Sequence, residues 1–331
     1  ASGLLTLGLV ITPAVAPAFG GVLVDHFGWA AIFLLNTPFC LVALALGGWL
    51  LPAPSPGQRH PFDWTGALLL SLATLAVVDG VTGLHRSGVL SAWTAAHAAL
   101  TLLTLAAFVR HARRSPAPLI QLGLFGSRTF TMGSVVSFTY GFGLYGSTYL
   151  IPVFLQSAMG YSATAAGNAL IPGGIALVLS TPLAGRLTDR YPPKAVAIAG
   201  LLLFGGSFFA FYGLGQHIGY TTLIAATVVG RIGLGLILPA LNLATLRHLA
   251  PHQLAQSSVI VTYARQLGGV FGIAMTAVFV EWREGAYQHH ADGIFTAYGQ
   301  GFFLLGAVVL AAMLAALQMR RQSSATAPQA E

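Results

Sequence analysis

GRLTDRYPPK, residues 185–194, is a hydrophilic break between two long apolar runs. Arg186, Asp189, Arg190 and Lys194 carry charge within these ten residues, in a chain where only 7% of residues are charged. Soluble domains average about 25% charged residues. With 56% hydrophobic residues, this chain falls outside the soluble class. Working outward from the break in both directions, apolar runs of about 18 residues or more recur to both ends, each long enough to cross a bilayer. The break is therefore a connection between membrane spans, and the fold is a bundle of spans.

Ten spans are expected, near 3–24, 29–51, 65–84, 92–110, 130–155, 163–184, 195–215, 220–246, 256–280 and 296–318. Lipid satisfies no backbone hydrogen bonds, and nothing alternates as a barrel strand would, so the spans are helices. Their connections differ in charge. One set holds Arg59, Arg110, Arg113, Arg114, Arg128, Arg186, Arg190, Lys194, Arg247, Arg320 and Arg321, whereas the other holds only Arg86 and Arg283. The positive-inside rule places the first set, and both chain ends, in the cytoplasm. That asymmetry also accounts for the net charge of +7 without nucleic acid, since no basic stretch interleaves aromatics. Cys40 is the single cysteine, so no internal disulfide forms. The chain starts ASGLLTLGLVITP, without methionine and inside an apolar run, which reads as a chain lacking its N-terminal part.

The order Gly185, Asp189, Arg190, Lys194 resembles the cytoplasmic signature of the major facilitator superfamily, with Pro192 and Pro193 where glycine and arginine are usual. The resemblance implies a gating loop. Its physical sense would be a close helix approach at Gly185, a helix N-terminus capped by Asp189, and basic residues held at the anionic leaflet. The first span, GLLTLGLVITPAVAPAFGG, is similar to the antiporter motif of the family's fifth helix. Gly3, Pro17, Gly20 and Gly21 match, whereas Thr12 and Ala16 replace glycines. FGWAAIFLLNTPF, residues 27–39, resembles the start of the sixth helix in the fourteen-span drug:proton antiporter branch. Two spans inserted over about 65–110 are that branch's architectural mark, and QSAMGYSATAAGNALIPGG and YARQLGGVFGIA also look like it. The implied fold is an all-α integral membrane protein of the major facilitator type with about ten transmembrane helices present and the first four of the N-terminal bundle missing. Residues 1–51 would close the N-terminal bundle, 52–128 would hold the inserted pair, 129–319 the C-terminal bundle, and 320–331 a cytoplasmic tail.

An ionisable group within a span costs about 2.5–3.5 kcal/mol on insertion scales, so each is a functional candidate. Arg231 lies in VVGRIGLGLILPALN, similar to the family's arginine-plus-glycine motif, where it either faces the cavity or bonds a neighbouring helix. Arg265 and Gln266 precede Gly268, Gly269 and Gly272, a helix-packing spacing. Asp79 is the acid best placed within a span, although the branch's proton carriers belong chiefly to the N-terminal bundle. Asn36, Gln156, Asn168 and Asn242 are isolated polar groups, and Tyr140, Tyr145 and Tyr149 are candidates to line a cavity for flat cationic or amphipathic compounds.

Other patterns carry no chemistry. GFGLYG, residues 141–146, has dinucleotide-loop spacing but lies mid-span with no strand before it. His289, His290 and Asp292 lack zinc spacing, and no P-loop, serine elbow or HExxH occurs. No metal, cofactor or enzymatic activity is expected. By resemblance, the full protein is a monomeric secondary transporter of the cell (inner) membrane, whose partners are the lipid bilayer, protons and a small-molecule substrate. It would export drug-like molecules and confer antibiotic resistance. The alternatives are export of an endogenous metabolite, or a truncated chain without transport.

Overall fold

The computed structural model describes residues 16, 19–50, 62–87, 91–214, 219–246, 249 and 251–319. Gly3, Thr12 and Pro17 of the antiporter motif, and Arg59, Arg247, Arg320 and Arg321, lie outside the described residues. Helix α1 is described over 19–27. It is followed by α2 (Ala30–Leu50), α3 (Trp64–Ser87), α4 (Ala92–Arg114), a 3-10 turn (Leu122–Gly126) and α5 (Arg128–Ser157). Next come α6 (Ala163–Arg190), α7 (Pro193–Leu214), α8 (Tyr220–Leu246), α9 (Pro251–Tyr287) and α10 (Gly293–Gln318). Each expected span from the second onward coincides with one helix, and of the first only the end, from residue 19, lies among the described helical residues.

Serine caps start three of these helices: Ser91, Ser127 and Ser162 accept from the N–H groups of Thr94, Phe130 and Ala165, satisfying donors that a first turn leaves free. Among the described residues eight helices, α2–α4 and α6–α10, are long and apolar enough to cross a bilayer by length and composition. The thirty-residue α5 is long enough but carries Ser, Thr, Tyr and Gly throughout. Much of it is buried against other helices, so protein rather than lipid is the solvent its composition answers to.

Two of the expected boundaries move. Gly185–Arg190 form the last turns of α6, and only Tyr191 and Pro192 separate it from α7. The stretch expected as a loop is mostly helix, because arginine and leucine sustain a helix in water as well as in lipid. Pro193 opens α7, where its missing N–H costs nothing. At the other side of the bundle α9 continues to Tyr287, through Glu281, Arg283 and Glu284, which were expected in a connecting loop.

The bundle from α5 to α10 is organised by a seam between α5 and α9. A Cβ on Gly141, Gly268 or Gly272 would strike the backbone carbonyl of Arg265, Phe138 or Phe142 respectively. Without side chains there, the two main chains touch directly, and Ser137 Oγ donates across to the Val261 carbonyl at 2.9 Å. Away from the seam an aromatic knot fills the core. Phe154 sits edge-on to Phe302 at 5.6 Å, and Phe211 stacks on Phe302 at 4.5 Å; such pairs add about 0.5–1.5 kcal/mol each beyond area burial.

Helices α3 and α4 form an antiparallel hairpin that packs through α3 on the outer side of α9. Thr74 and Tyr263 hydroxyls meet at 2.8 Å across that contact. At the hairpin's base, Asp63 accepts from the Gly66 N–H at 2.8 Å, the Leu119 N–H at 2.9 Å and the His111 ring at 2.7 Å. Gln256 on α9 donates to the Pro118 carbonyl at 3.1 Å, so the segment leaving α4 is tied to both hairpin and bundle. Burial raises the Asp63 pKa, but the three hydrogen bonds outweigh it and hold the carboxyl below its ordinary value.

Candidate functional site

A cavity of about 890 Å³ opens between the end of α1, the start of α2, and helices α5, α6, α8 and α9. Its size falls within the range of small-molecule sites, roughly 300–1,000 Å³. Of the sequence candidates, Gln156, Arg231, Arg265 and Gln266 line it, together with Ala16, Gly20 and Gly21 of the antiporter-like helix. Tyr140 and Tyr145 line it too, and the Tyr145 hydroxyl donates to Gln266 Oε1 at 2.9 Å. The Tyr140 ring lies within electrostatic reach of both guanidinium groups.

The helices place these groups by spacing and by absent side chains. On α8, Arg231, Leu234, Gly235 and Leu238 follow an i, i+3, i+4, i+7 stripe that faces the cavity. The stem of Arg231 lies over Gly173 of α6, where an added Cβ would come within 3.1 Å of Arg231 Cγ. On α9 the glycine seam presses one face onto α5. Gly269 leaves room for the Tyr145 ring, and Arg265 and Gln266 reach the cavity beside it.

Five candidates do not reach this cavity: Asn36, Asp79, Tyr149, Asn168 and Asn242. Asn36 donates back to the Ile32 carbonyl of its own helix at 3.1 Å. Asn242 shares the Arg231 face, but eleven residues along a helix is about 16 Å, beyond the cavity's lining and past Pro239. Asp79 pairs with His97 at 3.0 Å in the outer hairpin, because α3 turns to α4 and to the far side of α9 rather than inward. Tyr149 is likewise not part of the lining.

In the gating stretch, Gly185 meets no neighbour: an added Cβ finds nothing within 4 Å, so the expected close approach is absent among the described residues. Asp189 is exposed in the last turn of α6, where free backbone groups are carbonyls and cannot be capped by a carboxylate. Arg190 ends α6, exposed. Lys194 instead donates to the Leu317 and Met319 carbonyls at 2.5 and 2.7 Å, closing the C-terminus of α10 with a cation that suits its dipole.

Sequence reading missed the rim contact on the opposite side. A Cβ on Gly21 would collide with the Ala163 carbonyl at the start of α6. Four residues on, Asp25 accepts from the Thr164 N–H at 2.8 Å. Hydrogen bonding from Thr164 holds the Asp25 carboxyl below its ordinary value. The signal was an acid one turn beyond the Gly20–Gly21 pair.

The major facilitator superfamily model matches the chain twice, over residues 1–273 and 133–331. The chain belongs to the major facilitator superfamily. The "Multidrug resistance protein B homolog" of Mycobacterium tuberculosis (strain H37Rv) is 31% identical over 294 residues, covering 87% of this chain and 54% of the relative. The "Multidrug efflux pump LfrA" of Mycolicibacterium smegmatis is 30% identical, covering 79% and 52%. The "Lincomycin resistance protein LmrB" of Listeria monocytogenes is 26% identical, covering 89% and 62%. The chain thus spans just over half the length of the relatives it matches.

Proposed function

We propose that this chain forms part of a secondary transporter that exports drug-like, amphipathic small molecules in exchange for protons. The cavity carries the proposal: its walls come from α1 and α2 on one side and from the C-terminal helices on the other, as a site between two bundles would require. It mixes apolar walls, two tyrosines and a few polar groups, the lining expected for substrates that are partly greasy and partly polar. The relatives' names, multidrug and lincomycin resistance, support the same substrate class. In this reading residues 1–51 belong to an N-terminal bundle, 52–128 to the inserted hairpin and 129–319 to the C-terminal bundle. The ends bearing Arg113, Arg114, Arg128, Arg190 and Lys194, the 320–331 tail and both chain termini face the cytoplasm, and the transporter acts as a monomer. Alternating access would rock the bundles against each other. The lining holds no carboxylate among the described residues, so the reading puts the proton-carrying acid elsewhere.

The gene, expressed in a bacterial strain stripped of its main efflux pumps, should lower steady-state accumulation of an amphipathic fluorescent dye, cationic ethidium or anionic fluorescein, several-fold. Collapse of the proton gradient with a protonophore should restore it. Accumulation equal to that of the empty-vector strain, with the protein present in membranes by immunoblot, refutes export.

A further inference from the structure

We infer that the cavity recognises its substrate through an anionic group, with Arg231 and Arg265 as the residues that select a carboxylate or sulfonate on an amphipathic body. The inference deepens the export reading and rests on it. Two guanidinium groups from different helices, α8 and α9, line one cavity of about 890 Å³. No aspartate or glutamate lines it among the described residues, and neither arginine has a carboxylate partner there. Asp25, the acid near the rim, is already engaged by the α6 N-terminus.

Two like charges facing one largely apolar cavity disfavour each other, and an anion is the complement that relieves both. Guanidinium is suited to that task, because its planar fork meets the two oxygens of a carboxylate together. The neighbours extend the match. The Gln266 amide oxygen is taken by the Tyr145 hydroxyl, which turns its N–H2 group toward remaining acceptors. Tyr140, Tyr145, Leu144, Leu170 and Leu234 offer surface for an aromatic or alkyl body. Arg231 and Arg265 are thereby specificity-determining residues that touch the substrate.

The test uses the full chain in nanodiscs and three matched probes, 4-hexylbenzoate, 4-hexylbenzamide and 4-hexylbenzylamine, titrated by calorimetry. Benzoate should bind roughly 10- to 100-fold tighter than benzamide, the difference a charge-assisted hydrogen bond makes, and benzylamine should bind most weakly. Arg231→Gln and Arg265→Gln should each erase the preference for benzoate over benzamide, with far-UV circular dichroism reporting that the variants are folded. Thr148→Trp, which fills the cavity from an exposed wall position, should abolish binding of all three. Equal binding of benzoate and benzamide, or tighter binding of benzylamine, overturns the anion preference. If that binding is still lost in Thr148→Trp, the cavity reading survives. If no probe binds, or binding ignores Thr148→Trp, the cavity reading and the inference built on it fall together. The wild-type comparison decides the matter even if an arginine variant does not fold.

Discussion

Replacing Gly21 with alanine should open the seam between α1 and α6, and the structure says by how much. The new Cβ would lie 2.9 Å from the Ala163 carbonyl carbon and 3.0 Å from Thr164 Cα, whereas carbon–carbon contacts settle at about 3.5–4.0 Å. The obstacle is backbone in the first turn of α6 and cannot rotate away, so the helices must separate by about 0.5–1 Å. Overpacking of this kind costs about 1–3 kcal/mol, and each 1.4 kcal/mol is about tenfold in population. A readout is available at Asp25 and Thr164, whose carboxylate oxygen and N–H are 2.8 Å apart. With Cys40→Ser as background, Asp25→Cys and Thr164→Cys should cross-link rapidly under mild oxidation, and Gly21→Ala should slow that reaction by about fivefold or more. Gly20→Ala is the control, because nothing lies within 4 Å of its Cβ. If Gly21→Ala and Gly20→Ala cross-link at the same rate, the reasoning from close approach is refuted.

The Asp63 cluster should make stability depend on acid. Its carboxyl is held below the ordinary aspartate value of 3.8, so its contribution is present above that value and is lost as pH falls through the lower, folded-state pKa. Melting temperature should drop across that acid window in the wild type, and Asp63→Asn should remove that part of the drop while lowering stability at neutral pH. Lys194→Met should expose the α10 C-terminal carbonyls and cost about 1 kcal/mol, read as a fall of about 2–4 °C in melting temperature, with Lys194→Arg retaining part of it. Thr74→Val and Tyr263→Phe should show a coupling of about 0.5–1.5 kcal/mol in a double-mutant cycle; additive effects would mean that the hydroxyl pair does not hold the hairpin to α9.

Most helices were legible because lipid imposes an apolar run of fixed length, and the sequence shows one at α2–α4 and α6–α10. Where helices end was less legible. Hydropathy reports contact with lipid, whereas α6 and α9 run on through Arg186, Arg190, Glu281 and Arg283, whose intrinsic helix preference persists outside the membrane. In the site, Arg231, Arg265, Gln156 and Gln266 stood out as costly groups in apolar surroundings. Asn36, Asn242 and Asp79 gave the same signal with different outcomes. Asn36 satisfies itself on its own backbone, Asn242 lies on the facing stripe at another depth, and Asp79 belongs to a hairpin whose packing side no local pattern encodes. Asp63 was readable as a residue directly before an apolar run, a helix-start signal, but its partners His111 and Leu119 are brought to it only by the fold.

Helix α9 has thirty-seven residues, about 55 Å of rigid rod in a hydrocarbon layer of about 30 Å. It crosses α5 near its midpoint, at Gly268 and Gly272, so the seam is a fulcrum and both ends are lever arms of roughly 25–28 Å. A rocking of about 10° at that fulcrum would displace each tip by about 5 Å in opposite directions. The arm toward Pro251 carries the Gln256 tie to the hairpin, and the arm toward Tyr287 carries Arg283 bonded to Gln300 of α10. Spectroscopic labels at the two tips would therefore register motion at the membrane's two faces while probes beside the fulcrum stay almost still.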